Sequence, residues 1–335
     1  MPLFKIDHWV VRGFDFPFVQ FTVLGFAILA GWFVFWEPRS LFESITLVLL
    51  AIAVLFRCWI IFPYLRLAKI KVLGTTESKE EDMLSIISAN VLMYNENHQG
   101  LINIIQEKNP DLVLLLEADH KWKEGVEVFM DKHYPYTMLF PESNTYGLLL
   151  YSKLKLENEE LRFLVEENVP SIKTVIHLKN NERVVFYGLH PKPPSPSENE
   201  KSTPRDAELV LVGRECREGA LPVIVAGDMN DVAWSHTTRL FLRISGLLDP
   251  RMGRGFFSTY HAKYPLVRWP LDHVFVSHHF KVKRMQLLSN FGSDHFPIYV
   301  ELVFAPSEIA RQNIEAPDLA DRVEANKKLE DAEVD

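Results

Sequence analysis

The chain has 335 residues, 47% of them hydrophobic, and a formal net charge of −8. Such a length supplies a substantial core, and the acidic balance argues against a protein that coats nucleic acid non-specifically, while leaving room for a local basic groove. The two cysteines, Cys58 and Cys216, stand far apart in different contexts, which speaks against a disulfide framework and a cysteine zinc site.

Residues 1–17 read as an N-terminal tail. From Phe18 to Trp36, "FVQFTVLGFAILAGWFVFW" then carries no charge over a length that spans a bilayer as a helix. Ile45 to Leu65, "ITLVLLAIAVLFRCWIIFPYL", is similar but for Arg57, which is expected to snorkel or to pair with Glu43 or a headgroup. Trp32, Trp36, Trp59 and Tyr64 lie toward the ends, as interfacial aromatics do. Two helices buried in a soluble core would meet the same length criterion. A cleaved signal peptide fits worse, because two long spans follow a tail without a short apolar core. The reading adopted is a transmembrane helical hairpin over residues 18–65, contacting the lipid bilayer through Phe18–Trp36 and Ile45–Leu65. Both flanks then share one side. Lys5 and Arg12 before the hairpin and Arg66, Lys69 and Lys71 after it, against Arg39 in the connection, favour the cytoplasm.

Residues 66–82 read as a linker, with five charges in "LGTTESKEED". From Met83 strand-like and helical runs alternate. "MLSIISANVL" is a strand ending at polar Asn90, "NHQGLINIIQEKNP" has helical spacing and stops at Asn109-Pro110, and "DLVLLLEAD" is a buried strand running into Glu117. This strand–helix–strand unit implies neighbouring parallel strands. "YGLLLYSK" is another strand, and "IKTVIHLKNNERVVFYGLH" reads as a hairpin ending at His190. A Pro/Ser-rich loop and a helix follow. Leu221 to Ala226 is a strand running into "GDMND", then comes an irregular stretch with Trp234, then the strand-like "PLDHVFVS", "KVKRMQLLS" and "DHFPIYVELVF". Residues 306–335 are a polar tail, expected to be frayed.

The polar residues collect at strand ends. Asn90, Glu117, His190 and Asp228 with Asn230 lie at C-terminal ends, whereas Asp272 and the pair Asp294–His295 lie just before their strands. If those last strands run antiparallel to the others, all of these residues converge on one rim. Glu117 is a hard anionic oxygen donor and Asn90 a neutral one; with Asp294 and water they suit Mg²⁺ or Mn²⁺ better than zinc, given the carboxylate and amide share. Asp272 beside His295 would orient the imidazole, and Asp228 would hold and deprotonate a water. Together with donors such as His190 and Asn230, these are the requirements of phosphoester hydrolysis.

Seven segments, "SANVLMYN", "LLLEAD", "YGLLLYSK", "GLHPKPP", "AGDMND", "PLDHVFVS" and "SDHFP", resemble in order the motifs of the endonuclease/exonuclease/phosphatase superfamily, the DNase I-like enzymes. The resemblance covers residues 83–305 or nearly so. It implies a four-layer α/β sandwich, two mixed sheets flanked by helices. It also implies metal-binding Asn90 and Glu117, phosphate-contacting His190, water-directing Asp228 with Asn230 beside it, Asp272 paired with His295, and Asp294 near the metal. The hairpin resembles that of a bacterial membrane-anchored branch whose domain is taken to be extracytoplasmic, against the charge count. Longer members carry an additional span.

The function expected is divalent-metal-dependent hydrolysis of phosphodiester or phosphomonoester bonds, on nucleic acid, a phospholipid headgroup or a small phosphoester. The competing reading is a catalytically silent, membrane-tethered scaffold on the same fold. Arg205 is either a helix N-terminal residue or a phosphate contact, and Trp234 either stacks on a base or covers the core. The basic and aromatic run "PRMGRGFFSTYHAKYPLVR", residues 250–268, fits a nucleic-acid backbone, an anionic lipid surface or an ordinary loop.

Overall fold

Runs such as Leu112–Leu116 have no polar residue in either alternating set, so a strand made of them must be covered on both faces. The computed structural model, which describes residues 6–35 and 40–333, shows this arrangement. Lys5, Trp36 and Arg39, which entered the membrane reading, lie outside the described residues.

Eleven strands among the described residues form two mixed sheets. The first runs β10 (Phe280–Leu287), β11 (Ile298–Phe304), β1 (Met83–Asn90), β2 (Leu112–Leu116), β4 (Leu148–Ser152), β3 (Tyr136–Phe140). The second runs β5 (Leu156–Arg162), β6 (Ser171–His177), β7 (Arg183–Leu189), β8 (Val223–Asp228), β9 (Asp272–Val276). Strands β1 and β2 are parallel, as are β7 and β8; β11 is antiparallel to β1, and β9 to β8.

Alternation divides the side chains between layers. Ile86, Leu112, Leu114, Ile224, Ala226 and Val274 point between the sheets and make the central core. Their neighbours Ile87, Val113 and Leu115 face outward, under helices α4 (His98–Lys108) and α5 (His120–His133). Val223 and Val225 face α6 (Thr203–Glu218) and α7 (His236–Ser245) on the other side. The result is the α/β sandwich expected. Helix α7 lies in the stretch that reads as irregular from sequence.

Among the described residues two helices are long and apolar enough to cross a membrane, α2 (Phe18–Phe35) and the Leu41–Tyr64 helix, whose α-helical part is α3 (Leu41–Ile61). They pack against each other where Gly25 leaves room: a Cβ there would stand 2.5 Å from Val54 Cγ2. Arg57 does not reach Glu43. It donates to the Phe18 carbonyl at 3.2 Å and lies 4.3 Å over the Phe18 ring, because it sits near the end of α3 against the start of α2. About four helical turns, on the order of 20 Å, separate it from Glu43. The charge is thus at the domain end of the hairpin. That base is embedded in the domain: Phe18, Ile60, Ile61 and Tyr64 form one buried cluster with Val232, Ala233, Trp234 and Leu271.

The segments expected to be loose are not. Within the linker, Val72 is buried and its carbonyl accepts from Arg254 at 2.6 Å, while Gly74 bridges to Val282 on β10. The polar C-terminus forms α8 (Leu319–Asp331), capped reciprocally by Asp318 and Asp321, with Ala325 and Leu329 packed on α6 and α7. Its Lys328 donates to the fully buried Asp206 at 2.6 Å. Arg205 (2.8 Å) and Arg12 (3.5 Å) reach the same carboxylate. Arg12 belongs to α1 (Trp9–Gly13), so one buried anion ties the N-terminal tail, α6 and α8 together.

Burial alone would raise the Asp206 carboxyl, but Lys328, Arg205 and Arg12 outweigh it and hold it well below the usual carboxylate range. Its stabilising contribution is therefore present at neutral pH and lost only in strong acid. Asp206→Ala leaves buried cations without a shared partner and should cost about 3–5 kcal/mol in denaturation of the purified chain. A loss near zero would show that α8 and the tail are held some other way.

Candidate active site

Strand direction decides what meets at one rim. Asn90 and Glu117 come off the C-terminal ends of parallel β1 and β2, and His190 and Asp228 off those of parallel β7 and β8. Antiparallel β9 begins at the same edge, so that Asp272 stands directly across from Asp228. Antiparallel β11 begins there too, opposite Ser88, with Asp294 and His295 just ahead of it. The condition on strand direction is met.

The backbone bends sharply as it leaves these strands. Glu117 and Asn230 adopt left-handed conformations, φ 57° and φ 50°, which non-glycine residues hold only where their surroundings enforce it. Gly227 is a third special position, just before Asp228. At its φ of +141° a Cβ would lie 1.9 Å from the Leu189 carbonyl oxygen, so only glycine lets β8 pass β7 at this point. The turn then closes on itself: the Asn230 N–H donates to Asp228 Oδ1 at 2.9 Å, and its side-chain amide to the Pro191 carbonyl at 3.0 Å.

His295 stands between the two facing carboxylates. Its Nδ1 donates to Asp272 Oδ2 at 2.7 Å, and its Nε2 lies 3.6 Å from Asp228 Oδ2. Burial opposes charge on this ring, but Asp272 and Asp228 together outweigh it and push the pKa up to about 10. His190 is equally buried and has the opposite fate: burial dominates and lowers it to about 4, leaving a neutral ring whose Nδ1 has no partner. The rim therefore holds one cationic and one neutral imidazole.

Glu117 is pushed up to about 7, chiefly by burial; the Asn90 amide and His295 pull it down, and Asp228 and Asp294 push it further up. A carboxyl so placed gains from an added cation. The donor set of Glu117, half-buried Asp294 and Asn90 fits a hard divalent ion. The Asn90 NH₂ faces Glu117 (2.7 Å) and Asp228 (3.2 Å), and its oxygen accepts from the Leu92 N–H at 3.0 Å. Asn90 here bridges two carboxylates, and must turn its amide over to become the oxygen ligand expected. Asp228, Asp272 and His295 also offer atoms within 4.8 Å of one another, but a protonated ring has no lone pair for a metal.

Two expected substrate contacts are corrected. Arg205 is buried and its guanidinium is fully used, on Asp206, on Asp231 at 3.3 Å and on the Asn230 carbonyl at 2.7 Å. It holds the turn carrying Asn230 and meets no substrate. Trp234 is buried edge-on against Tyr64 and Phe256, its Nε1 donating to the Asp15 carbonyl at 2.8 Å, so no face is open to a base. Asp119, next to the rim in sequence, caps α5. In the basic run, Arg251 is buried on Asp249 and His273, and Arg254 is spent on backbone carbonyls.

Ser293 is a residue of the site that strand ends and residue type do not single out. Its hydroxyl donates to the Asn90 carbonyl at 2.8 Å and accepts from the His295 N–H at 3.0 Å, tying the approach to β11 to the end of β1. Its place in the "SDH" triplet was the available signal. Tyr260 is a second; its backbone bridges to His295, and the two rings lie 5.0 Å apart.

Comparison with known proteins gives the same picture. No curated protein sequence matches the chain. Among solved structures, D. rerio TDP2 complexed with single strand DNA product is 19% identical with a TM-score of 0.56, covering 66% of this chain and 98% of that one. The human Nocturnin catalytic domain with bound sulfate anion is 18% identical with a TM-score of 0.55, covering 67% and 96%. The Bacteroides thetaiotaomicron mannosyl-6-phosphatase Bt3783 is 20% identical with a TM-score of 0.53, covering 66% and 100%. At such identities the likeness is one of fold. The Endonuclease/Exonuclease/phosphatase family model matches residues 87–295, more than half of the chain and the whole of the rim from Asn90 to His295. The chain belongs to the endonuclease/exonuclease/phosphatase family.

Proposed function

We propose that this chain is a membrane-anchored phosphoesterase that requires Mg²⁺ or Mn²⁺. The observation that carries the reading is the buried His295, charged between Asp272 and Asp228 on the rim that also presents Glu117 and the neutral His190. A silent scaffold has no use for a desolvated cation aimed at a carboxylate-lined opening.

Each residue has a task in this reading. Glu117, with Asp294 and Asn90, would hold the divalent cation, which when bound would supply Lewis-acid stabilisation to the phosphoryl group. Asp228, fixed by the Asn230 N–H and the Asn90 amide, orients the attacking water and takes a proton from it. The His295 imidazolium and the His190 ring donate to the phosphoryl oxygens as their charge rises. The new P–O bond forms from water, the ester P–O bond breaks, and the proton taken by Asp228 ends on the leaving alkoxide. The hairpin anchors the domain. Its N-terminal flank packs on the domain through Arg12, which supports two spans with both flanks on one side.

Glu117→Gln should lower kcat/KM on bis-p-nitrophenyl phosphate by about a hundredfold or more at saturating Mg²⁺, and abolish the rise in Tm on adding Mg²⁺. The raised carboxyl favours its protonated form in the fold, so metal-free protein is destabilised as pH rises from about 4.5 to about 7. Glu117→Gln should accordingly raise the metal-free Tm at pH 8. In the unaltered chain a proton competes with the cation below about pH 7, so the apparent Kd for Mg²⁺ should weaken toward tenfold per pH unit there. A Kd flat from pH 8 to 5.5 would remove Glu117 from the metal site.

Asp272 and His295 should behave as a unit. Asp272→Asn, His295→Ala and the double variant should show strongly non-additive losses in kcat/KM, the double scarcely worse than the worse single. Effects that multiply cleanly would mean that Asp272 serves its strand and His295 acts alone.

A further inference from the structure

We propose that the turn Tyr264–Val267 is a membrane-seated lip of the active site, and that the substrate is the phosphoester headgroup of a bilayer lipid, taken without leaving the membrane surface. This rests on the phosphoesterase reading and names its substrate class.

The lip joins the catalytic rim to the hairpin over a short stretch of chain. At one end, the Ala262 N–H donates to the Asp294 carbonyl at 2.7 Å, two residues after Tyr260 pairs with His295. At the other, the Leu266 carbonyl accepts from the Gln20 side chain at 3.0 Å, in the first turn of the apolar helix α2. The four residue steps from Ala262 to Leu266 span at most about 14 Å even fully extended. The opening beside Asp294 and His295 therefore lies close to the level at which the apolar span begins.

The lip has the chemistry of an interface. Tyr264-Pro265-Leu266-Val267 is closed by the Val267 N–H on the Tyr264 carbonyl at 3.0 Å, with Pro265 at the position that favours a turn. At this fixed tip Leu266 is 85% exposed and Tyr264 60% exposed. Burial of such apolar surface is favourable, and the adjoining bilayer offers it. Lys263 is exposed beside the tip, and Arg268, lying over the Phe296 ring, closes the other side. Phe14 and Leu67, just before and just after the hairpin, are exposed as well, so the apolar collar continues around its base.

Nucleic acid fits this surface less well. Tracking a strand takes a succession of cations and open aromatic faces. Arg251 and Arg254 are spent inside the fold, leaving Lys263 and Arg268 from the basic run of residues 250–268. Trp234, the aromatic that would have stacked on a base, is buried.

The test uses the full chain reconstituted in phosphatidylcholine vesicles, with a Tyr264→Ser/Leu266→Ser double variant. Both side chains are exposed and neither touches the rim residues. Hydrolysis is measured on vesicle-embedded phosphatidylglycerol, phosphatidylethanolamine and phosphatidic acid, on soluble bis-p-nitrophenyl phosphate, and on a single-stranded oligonucleotide. We expect the unaltered chain to cleave at least one lipid, and the variant to lose tenfold or more on that lipid and less than twofold on the soluble diester. Lipid turnover unchanged in the variant, or lost in equal measure with the soluble diester, would overturn the proposal. So would cleavage of the oligonucleotide or soluble diester with no lipid cleaved, which would leave the phosphoesterase reading intact. Cleavage of none of them would end both.

Discussion

Two carboxylates stand directly opposite each other on neighbouring strands, Asp228 on β8 and Asp272 on β9, both buried. Like charges so placed repel, and burial sharpens the penalty. The His295 imidazolium answers both, bonded to one and 3.6 Å from the other. That requirement reaches through the fold. His295 arrives from the opposite sheet, just before β11, and can stand there only if β11 begins at the edge where β8 ends. Ser293 fixes the approach by joining the His295 N–H to the Asn90 carbonyl. The packing of the two sheets and the electrostatics of the rim are one constraint seen twice.

A second set of contacts supports the rim from behind. The segment after Asp228 lies on the hairpin base, with Val232, Ala233 and Trp234 against Phe18, Ile61 and Tyr64. Arg205 links Asn230 to the Asp206 cluster, and through it to Arg12 and Lys328. The apolar helices, the N-terminal tail and the C-terminal helix are therefore all in contact with elements that position the site. Cutting the domain free of its hairpin would expose Trp234 and its neighbours, which makes the full chain the proper object of study.

Much of this could be read from the sequence because short-range patterns carried it. Leu112–Leu116 and Val223–Ala226 declare buried strands, and polar residues at their ends declare an edge; the convergence of those ends follows if the last strands run antiparallel. What escaped depends on contacts distant in sequence. Lys328 meets Asp206 across more than a hundred residues, and without that partner α8 reads as a solvated tail. Arg205 and Trp234 are residue types that serve substrates as well as cores, and only burial separates the two uses. Asn90 shows the limit within the site itself: its type suits a metal, whereas its amide here bridges two carboxylates.

The central claim is a charged His295 at neutral pH, and the ring itself can be observed. In ¹⁵N-histidine-labelled chain, with the signal assigned by its loss in His295→Ala, both ring nitrogens should carry protons at pH 8. The ring should titrate only at about 10, with its stabilising contribution lost as pH rises through that value. A neutral His295 ring at pH 7.5, with one nitrogen unprotonated, would contradict the account.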